Sequence, residues 1–321
     1  MPGVLPVTGA RPARGTLWAH RLAVVLCVAT FALLIFGGLV TNTGAALAVP
    51  DWPTTFGHQM FLYPWSGMVG GVFYEHSHRL IGSVVGLLTL ALALSLGIVE
   101  RRRWVRWLGV LAVALVSLQG VLGGLRVVLV NEKLAVVHGS VAPAFFALTV
   151  GLVLFTSREW TGVSGASPIA PDPALRRLVL LTTAVLYLQI VFGAFLTHLG
   201  QRLDGHLVGA ALLSILIPAL GAKVLSRQET EPALVLPVIW LGGLLALQLL
   251  LGLGAYLGRF TDYRLPFTEV STVALPVAHR ITGVVLLAVS VMLALRVCRR
   301  AAAESGSVAL SDPLPLNQAV A

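Results

Sequence analysis

The feature that most constrains this chain is a series of eight apolar stretches, each about 20 residues long, separated by charged or turn-rich segments. About 20 residues, at a rise of about 1.5 Å each, are enough for a helix to span a bilayer. Hydrophobic residues make up 57% of the chain and charged residues only 11%, which excludes an ordinary soluble domain. We therefore predict an all-α membrane protein with eight transmembrane helices, at 22–41, 78–99, 105–130, 134–156, 177–199, 203–224, 233–258 and 274–297.

The positive charges predict the orientation of these helices. The net charge is +9, but its distribution argues against nucleic acid as a partner and favours membrane lipid. Residues 43–74 contain no Lys or Arg, so the positive-inside rule puts both termini in the cytoplasm. One side of an eight-helix arrangement has 15 of the 22 Lys and Arg: Arg11, Arg14, Arg21, Arg101, Arg102, Arg103, Arg106, Arg158, Arg176, Arg177, Lys223, Arg227, Arg296, Arg299 and Arg300.

The first apolar stretch leaves two interpretations open, an uncleaved first helix or a cleaved signal peptide ahead of Ala46 and Ala48. Its length of about 20 residues favours the helix, since a signal core usually has about 7 to 15. The two cysteines, Cys27 and Cys298, support neither a disulfide framework nor a cysteine-based metal site.

The chain repeats itself. Residues 36–44 (FGGLVTNTG) match residues 192–200 (FGAFLTHLG) at an offset of 156. Glutamine four residues before glycine also recurs, as Gln119 and Gly123, Gln189 and Gly193, and Gln248 and Gly252. Small residues commonly allow close helix packing, but their matched positions indicate duplication. We predict two pseudo-symmetric four-helix bundles, 20–157 and 177–298, with a linker at 158–176 and cytoplasmic tails at 1–19 and 299–321. Residues 1–19 and 301–321 look disordered.

Four histidines occupy equivalent places near the outer ends of the even-numbered predicted helices: His78, His138, His206 and His279. One such histidine would suggest a hydrogen-bonded interior residue, but four at matched depth indicate function. Two imidazoles in one bundle can take both axial positions of a heme iron, so we predict the pairs His78 with His138 and His206 with His279. Zinc fits less well, because each half supplies only two such ligands.

The two halves differ near the first pair. Glu75 lies one helical turn before His78 if that helix extends outward, whereas its counterpart in the second half is Leu203. This carboxylate is either a catalytic group or a charge that stabilises the helix N-terminus. The first outer loop is also 28 residues longer than the second, and it contains Asp51 and Trp52. The loop acts either as a lid over the first site or as an interfacial anchor.

These residues together resemble the heme A synthase family. The resemblance rests on residues 44–53 (GAALAVPDWP) and 75–79 (EHSHR), on His138 and His206, and on the pair His279 and Arg280. It extends over essentially the whole predicted membrane region.

The resemblance implies an oxidoreductase that converts the C8 methyl of heme O to a formyl group, giving heme A for cytochrome oxidase. It implies that His78 and His138 bind the substrate heme beside a catalytic Glu75, and that His206 and His279 bind heme b as an electron-transfer cofactor. Implied partners are a heme O synthase and an electron-transfer protein. The implied location is the bacterial inner membrane, as a multi-pass protein.

Several assignments remain open at this point. Arg79 and Arg280 each follow a predicted ligand and are expected to contact heme propionates or to extend to the interface. His76 competes with His78 as the ligand, although His78 aligns with the family ligand, and His198 has no assigned role. The chain also lacks the outer-loop cysteine pair of one bacterial branch.

Two other functions remain possible on these residues. A di-heme b-type electron-transfer protein needs the four histidines but neither Glu75 nor the long loop. A secondary transporter fits less well, because its polar residues usually lie near the bilayer midplane.

Overall fold

The computed structural model describes residues 14–161, 172–226, 232–262 and 268–311. These residues form nine α-helices and two short 3₁₀ helices, Met60–Leu62 and Trp65–Gly67. Eight of the α-helices are long and apolar enough to cross a membrane, which confirms the predicted fold class. The α-helices are α1 (Arg14–Asn42), α2 (Gly70–Val99), α3 (Arg103–Val128), α4 (Glu132–Thr156), the short α5 (Arg158–Thr161), α6 (Pro173–Leu199), α7 (Leu203–Leu225), α8 (Pro232–Phe260) and α9 (Thr268–Ser311).

Several helix boundaries differ from the prediction. α1 begins at Arg14, and α2 begins at Gly70, so Glu75 lies within α2. α9 continues to Ser311, which corrects the expected disordered tail from residue 301, because the alanine-rich segment 301–303 favours helix. The remainder of both tails, 1–13 and 312–321, and most of the linker, 162–171, lie outside the described residues.

The helices pack as two rings of four. In the N-terminal half each of α1 to α4 contacts the next, and α4 returns to α1. In the C-terminal half α6 to α9 do the same, with α9 returning to α6. Each ring encloses its own apolar core, around Leu92 in the first and Leu241 in the second. A ring of neighbouring helices leaves its inward faces available for a shared site.

The halves join through α1 and α4 on one side and α6 and α9 on the other. A smaller apolar cluster of Leu34, Phe146, Val284 and Ala288 fills this junction. α4 and α9 also approach each other near Gly139 and Arg280, the residues that follow His138 and His279.

The connections at the outer side differ greatly between the halves. Residues 43–69 join α1 to α2 and bury Ala45, Val49 and Thr55 against the bundle. Residues 200–202 join α6 to α7, and Gly200 ends α6 in the left-handed conformation, with φ of 66°. Only the first connection is long enough to cover a site.

Candidate functional site

The structure brings the four predicted histidines together as two pairs. The ring centroids of His78 and His138 are 6.5 Å apart, with an angle of 78° between the rings. Those of His206 and His279 are 6.0 Å apart, with an angle of 67°. Each pair joins the second and fourth helices of its own ring, as the matched positions predicted.

These separations suit two axial ligands of one iron. With a metal–nitrogen bond of about 2.0 Å and a ring centre about 1.1 Å beyond the nitrogen, two opposed imidazoles have centroids about 6 Å apart. No group of three or more His, Cys, Asp or Glu side chains that could hold a metal ion is found in the described part of the chain. Two imidazoles suit an iron whose other ligands come from a porphyrin better than they suit zinc.

Each histidine ring packs against a glycine on the preceding helix. A Cβ added at the glycine would lie 3.2 Å from the ring at Gly37 and Gly123, 3.4 Å at Gly193 and 2.8 Å at Gly252. A side chain at these positions would therefore press on the imidazole. The sequence showed all four glycines as parts of repeats but not their role, which is to make room for the histidine rings.

The residue four positions before each glycine approaches the same ring through its backbone carbonyl. The Nδ1 atoms of His206 and His279 lie 3.2 and 3.1 Å from the carbonyls of Gln189 and Gln248. A hydrogen bond from Nδ1 fixes the ring orientation and leaves the Nε2 of His206 for a metal. The Nε2 of His279 lies 3.3 Å from the side-chain nitrogen of Gln248. The contact with Nδ1 uses the backbone, which explains why a leucine can take the same position in α1.

The N-terminal pair has looser contacts of the same kind. The carbonyls of Leu33 and Gln119 interact with His78 and His138, but neither Nδ1 reaches hydrogen-bond geometry. Both Nδ1 atoms are buried, as are the amide atoms of Gln119. The first pair is therefore held less tightly by its surroundings than the second.

A cavity of about 490 Å³ lies beside the C-terminal pair. It is lined by His206, His279, Gln248 and Arg280, together with His198 and many apolar side chains. Mostly apolar walls with a few polar groups are typical of a cofactor site. The residues of this half therefore fit a heme.

His76 and His78 occupy different environments. The Nδ1 of His76 lies 3.2 Å from the Thr55 hydroxyl, and its ring contacts Tyr63, both in the first outer loop. His78, two residues later, faces His138 inside the ring of helices. This geometry favours His78 as the ligand and makes His76 a support of the loop.

Glu75 and Arg79 form a buried ion pair under the same loop. Their side chains are 5% and 10% exposed, and Arg79 Nη2 lies 2.7 Å from Glu75 Oε1. The second carboxylate oxygen accepts a hydrogen bond from the Val49 N–H, at 2.9 Å. Both oxygens of Glu75 are thus already bound.

Arg79 also donates to three loop carbonyls: those of Asp51, at 2.7 Å, Thr54, at 3.1 Å, and Val49, at 2.9 Å. Each terminal nitrogen therefore serves two acceptors. The guanidinium therefore holds the loop, and the propionate contact expected of Arg79 stays a prediction.

Asp51 and Trp52 organise the part of the loop above this ion pair. The Asp51 carboxylate accepts hydrogen bonds from the Thr54 hydroxyl and from the N–H groups of Phe56 and Gly57. Burial opposes ionisation, but these hydrogen bonds outweigh it and lower the pKa of Asp51 to about 2. The Trp52 ring packs directly on Gly124 of α3, where it leaves no room for a Cβ.

Arg280 and His198, which the sequence left without a settled role, meet at the junction of the halves. A Cβ added at Gly139 of α4 would lie 3.4 Å from Arg280 Nη2 and 3.5 Å from His198 Nε2. Arg126 of α3 approaches from the other side and donates to the Ala46 carbonyl at 3.3 Å. Gly139 is far in sequence from both Arg280 and His198, so the sequence did not predict this contact.

Comparisons with a family model and with individual proteins point to the same family. The family model described as cytochrome oxidase assembly protein, COX15-CtaA, matches residues 20–205. A heme A synthase of Shouchella clausii is 30% identical over 186 residues, which cover 57% of this chain and 60% of that protein. A heme A synthase of Geobacillus kaustophilus is 25% identical over 250 residues, covering 68% of this chain and 74% of that protein. The match to the first of these proteins thus spans about 60% of its length.

Proposed function

This chain belongs to the COX15-CtaA family of cytochrome oxidase assembly proteins, and we propose that it is a heme A synthase. In this proposal it oxidises the C8 methyl of heme O to the formyl group of heme A. The observation that carries the proposal is the pair of neighbouring imidazoles in each half, with centroids 6.5 and 6.0 Å apart. The names of the related proteins support the same function.

We assign the N-terminal pair, His78 and His138, to the substrate heme and the C-terminal pair, His206 and His279, to heme b. The assignment is supported by the carboxylate and the long loop, which occur only in the first half. Heme b in the second half would supply electron transfer. These histidines would hold both groups, and the glycines beside the rings allow their close approach.

Glu75 is the candidate catalytic residue. It lies about one helical turn before His78 in α2, and its carboxylate is buried under the loop. Arg79 positions this carboxylate, since the two are paired at 2.7 Å. A buried carboxylate is suited to accept a proton or to stabilise positive charge at a reacting centre.

The loop of residues 43–69 would exclude water from the substrate site. Asp51 and Trp52 shape it, and Arg79 ties it to α2. A heme O synthase and a membrane electron-transfer protein are the expected partners. The expected location is the bacterial inner membrane, with both termini in the cytoplasm.

The test is to express the chain in a strain that makes heme O and to analyse the extracted hemes. We expect heme A in the extract and two b-type or related heme signals in the purified protein. His138→Ala should remove the N-terminal heme and abolish product. Glu75→Ala should retain heme but reduce conversion at least about a hundredfold, as expected for a lost acid–base group.

Glu132→Ala is the matched control, because Glu132 is an exposed carboxylate in the first turn of α4. It should convert heme O normally. Full activity of Glu75→Ala would contradict the catalytic assignment. A b-type spectrum without any formyl product would favour the alternative, a di-heme b-type electron-transfer protein.

A further inference from the structure

Two polar side chains of the C-terminal half, Arg280 and His198, reach across the junction to the N-terminal half. Arg280 follows the ligand His279 in α9, and His198 lies near the end of α6. Both approach Gly139 of α4, the residue after the ligand His138, at 3.4 and 3.5 Å from its Cβ position. Any side chain at position 139 would occupy the space into which Arg280 and His198 extend.

The charge of Arg280 acts on the other half of the molecule. It interacts electrostatically with both His78 and His138, and so does Arg126. The interactions resolved for His279 are with His206 and with the carbonyl of Gln248. Arg280 adjoins a C-terminal ligand in sequence and lines the cavity beside the C-terminal pair, but its guanidinium also reaches Gly139, next to His138 of the N-terminal pair.

Arg280 has no matching anion in the described part of the chain, whereas Arg126 interacts electrostatically with Glu75. Among the described residues, no carboxylate lies within ion-pair distance of Arg280, and its guanidinium donates no hydrogen bond. Arg126 is a second positive charge nearby, and Arg280 and Arg126 repel each other. Charge at the depth of a membrane helix is costly unless it is paired, so an anionic ligand is expected here.

We propose that Arg280 and His198 form a carboxylate-binding site at the junction, which holds a propionate of the heme bound by His78 and His138. This inference rests on the proposed function, since it takes the N-terminal pair as a heme site. The C-terminal half then binds part of the substrate of the N-terminal half. Arginine suits this role because its planar guanidinium can bind a carboxylate through two nitrogens.

The test compares protoheme with its dimethyl ester, in which both propionates are uncharged. Full-length protein produced without heme is titrated in detergent, and binding is followed by heme absorbance. The background is His206→Ala, so that the N-terminal pair is examined alone, with His279→Ala as a second background in case the first does not fold. We expect protoheme to bind about ten- to a hundredfold more tightly than the ester, as for a hydrogen bond to a charged group.

Arg280→Gln should lower protoheme affinity about tenfold and leave ester affinity unchanged, because the lost interaction needs the free carboxylate. His198→Asn, which introduces the residue found at the equivalent position 42, should act in the same direction but less strongly. Arg280→Lys should retain part of the preference. Arg202→Gln is the control, since Arg202 is an exposed arginine on the same side, and it should change neither affinity.

The outcomes separate this inference from the function on which it rests. If protoheme binds but Arg280→Gln weakens protoheme and ester equally, the carboxylate site is refuted while the heme site stands. A second outcome is that Arg280→Gln abolishes the preference for protoheme in His138→Ala, which keeps only the C-terminal pair, but not in His206→Ala. The carboxylate site would then belong to the C-terminal heme, and the role of Arg280 across the junction would be wrong. If neither compound binds the wild-type protein, the inference and the proposed function both fail.

Discussion

The two halves of this protein share a ligand arrangement but differ in how the site is closed. Each half is a ring of four helices with two imidazoles facing each other across it. In the first half residues 43–69 cover the outer end, whereas in the second residues 200–202 make a tight connection. Both halves therefore keep a pair of imidazoles, while one loop changes how the end of the bundle beside them is covered.

Two positions in the helix below the loop account for most of this contrast. Glu75 and Arg79 of α2 correspond to Leu203 and Leu207 of α7 by the offset that relates His78 to His206. In the first half these charges bind the loop through Val49, Asp51 and Thr54. The second half has Leu203 and Leu207 in place of this ion pair, and its short connection of residues 200–202 does not need to be held.

The largest expected effect comes from converting this anchor to its counterpart in the other half. Arg79→Leu leaves the Glu75 carboxylate buried and unpaired, at a cost of about 3 to 5 kcal/mol. We expect the loop to detach. Because this cost raises the fraction of molecules with a detached loop, chymotrypsin should cleave within residues 43–69 at least about a hundredfold faster than in the wild type. Trypsin is unsuitable because the loop contains neither Lys nor Arg.

The double variant Glu75→Leu with Arg79→Leu sharpens this test. It removes both buried charges, so the loop should be less exposed to protease than in Arg79→Leu alone. Leu207→Ala in the second half serves as the control and should leave loop cleavage unchanged. Equal cleavage in the wild type and Arg79→Leu would show that the loop is held by other contacts.

An intermediate effect is expected from the glycines behind the ligands of the second half. Gly252→Ala should lower heme occupancy of the C-terminal pair about tenfold or more, because its Cβ would lie only 2.8 Å from His279. Gly193→Ala should have a smaller effect, since the corresponding distance to His206 is 3.4 Å. Heme absorbance of the purified variants measures both.

Gly243→Ala is the matched control for this pair of variants. It lies on the same helix as Gly252, and no atom lies within 4 Å of its added Cβ. Since alanine is favoured over glycine in a helix by about 0.5 to 1 kcal/mol, all three variants should remain folded. Normal heme binding in Gly252→Ala would remove the steric role assigned to the glycine.

The smallest effect is expected from the Asp51 carboxylate in the loop. Its pKa is about 2 in the folded protein, below the ordinary value of 3.8. Because the folded pKa is the lower one, ionised Asp51 stabilises the loop above pH 3.8, and this contribution disappears as the pH falls toward 2. Asp51→Asn should make the loop insensitive to pH over this range.

Hydrogen exchange at Phe56 and Gly57, whose N–H groups bind Asp51, measures this effect. Protection in the wild type should fall toward the level of Asp51→Asn as the pH decreases, after correction for the intrinsic exchange rate. If the two proteins respond to pH in the same way, the carboxylate does not control the loop.

The helices, the histidine pairs and the unequal loops could be predicted from the sequence alone. The eight helices follow from the length and hydropathy of the apolar stretches, which are properties of consecutive residues. The grouping of the ligands followed from their equal distance to the helix ends, and the structure brings His78 to His138 and His206 to His279. The unequal outer loops were also evident from the change in repeat offset.

Contacts between residues far apart in the chain required the structure. His76 and His78 are two residues apart, yet one supports the loop through Thr55 and the other faces His138. Arg79 binds loop carbonyls, and Arg280 reaches Gly139 in the opposite half. Hydropathy and spacing give the depth of a side chain in the membrane, whereas its partner depends on the rotation of each helix and on how the two rings are packed together.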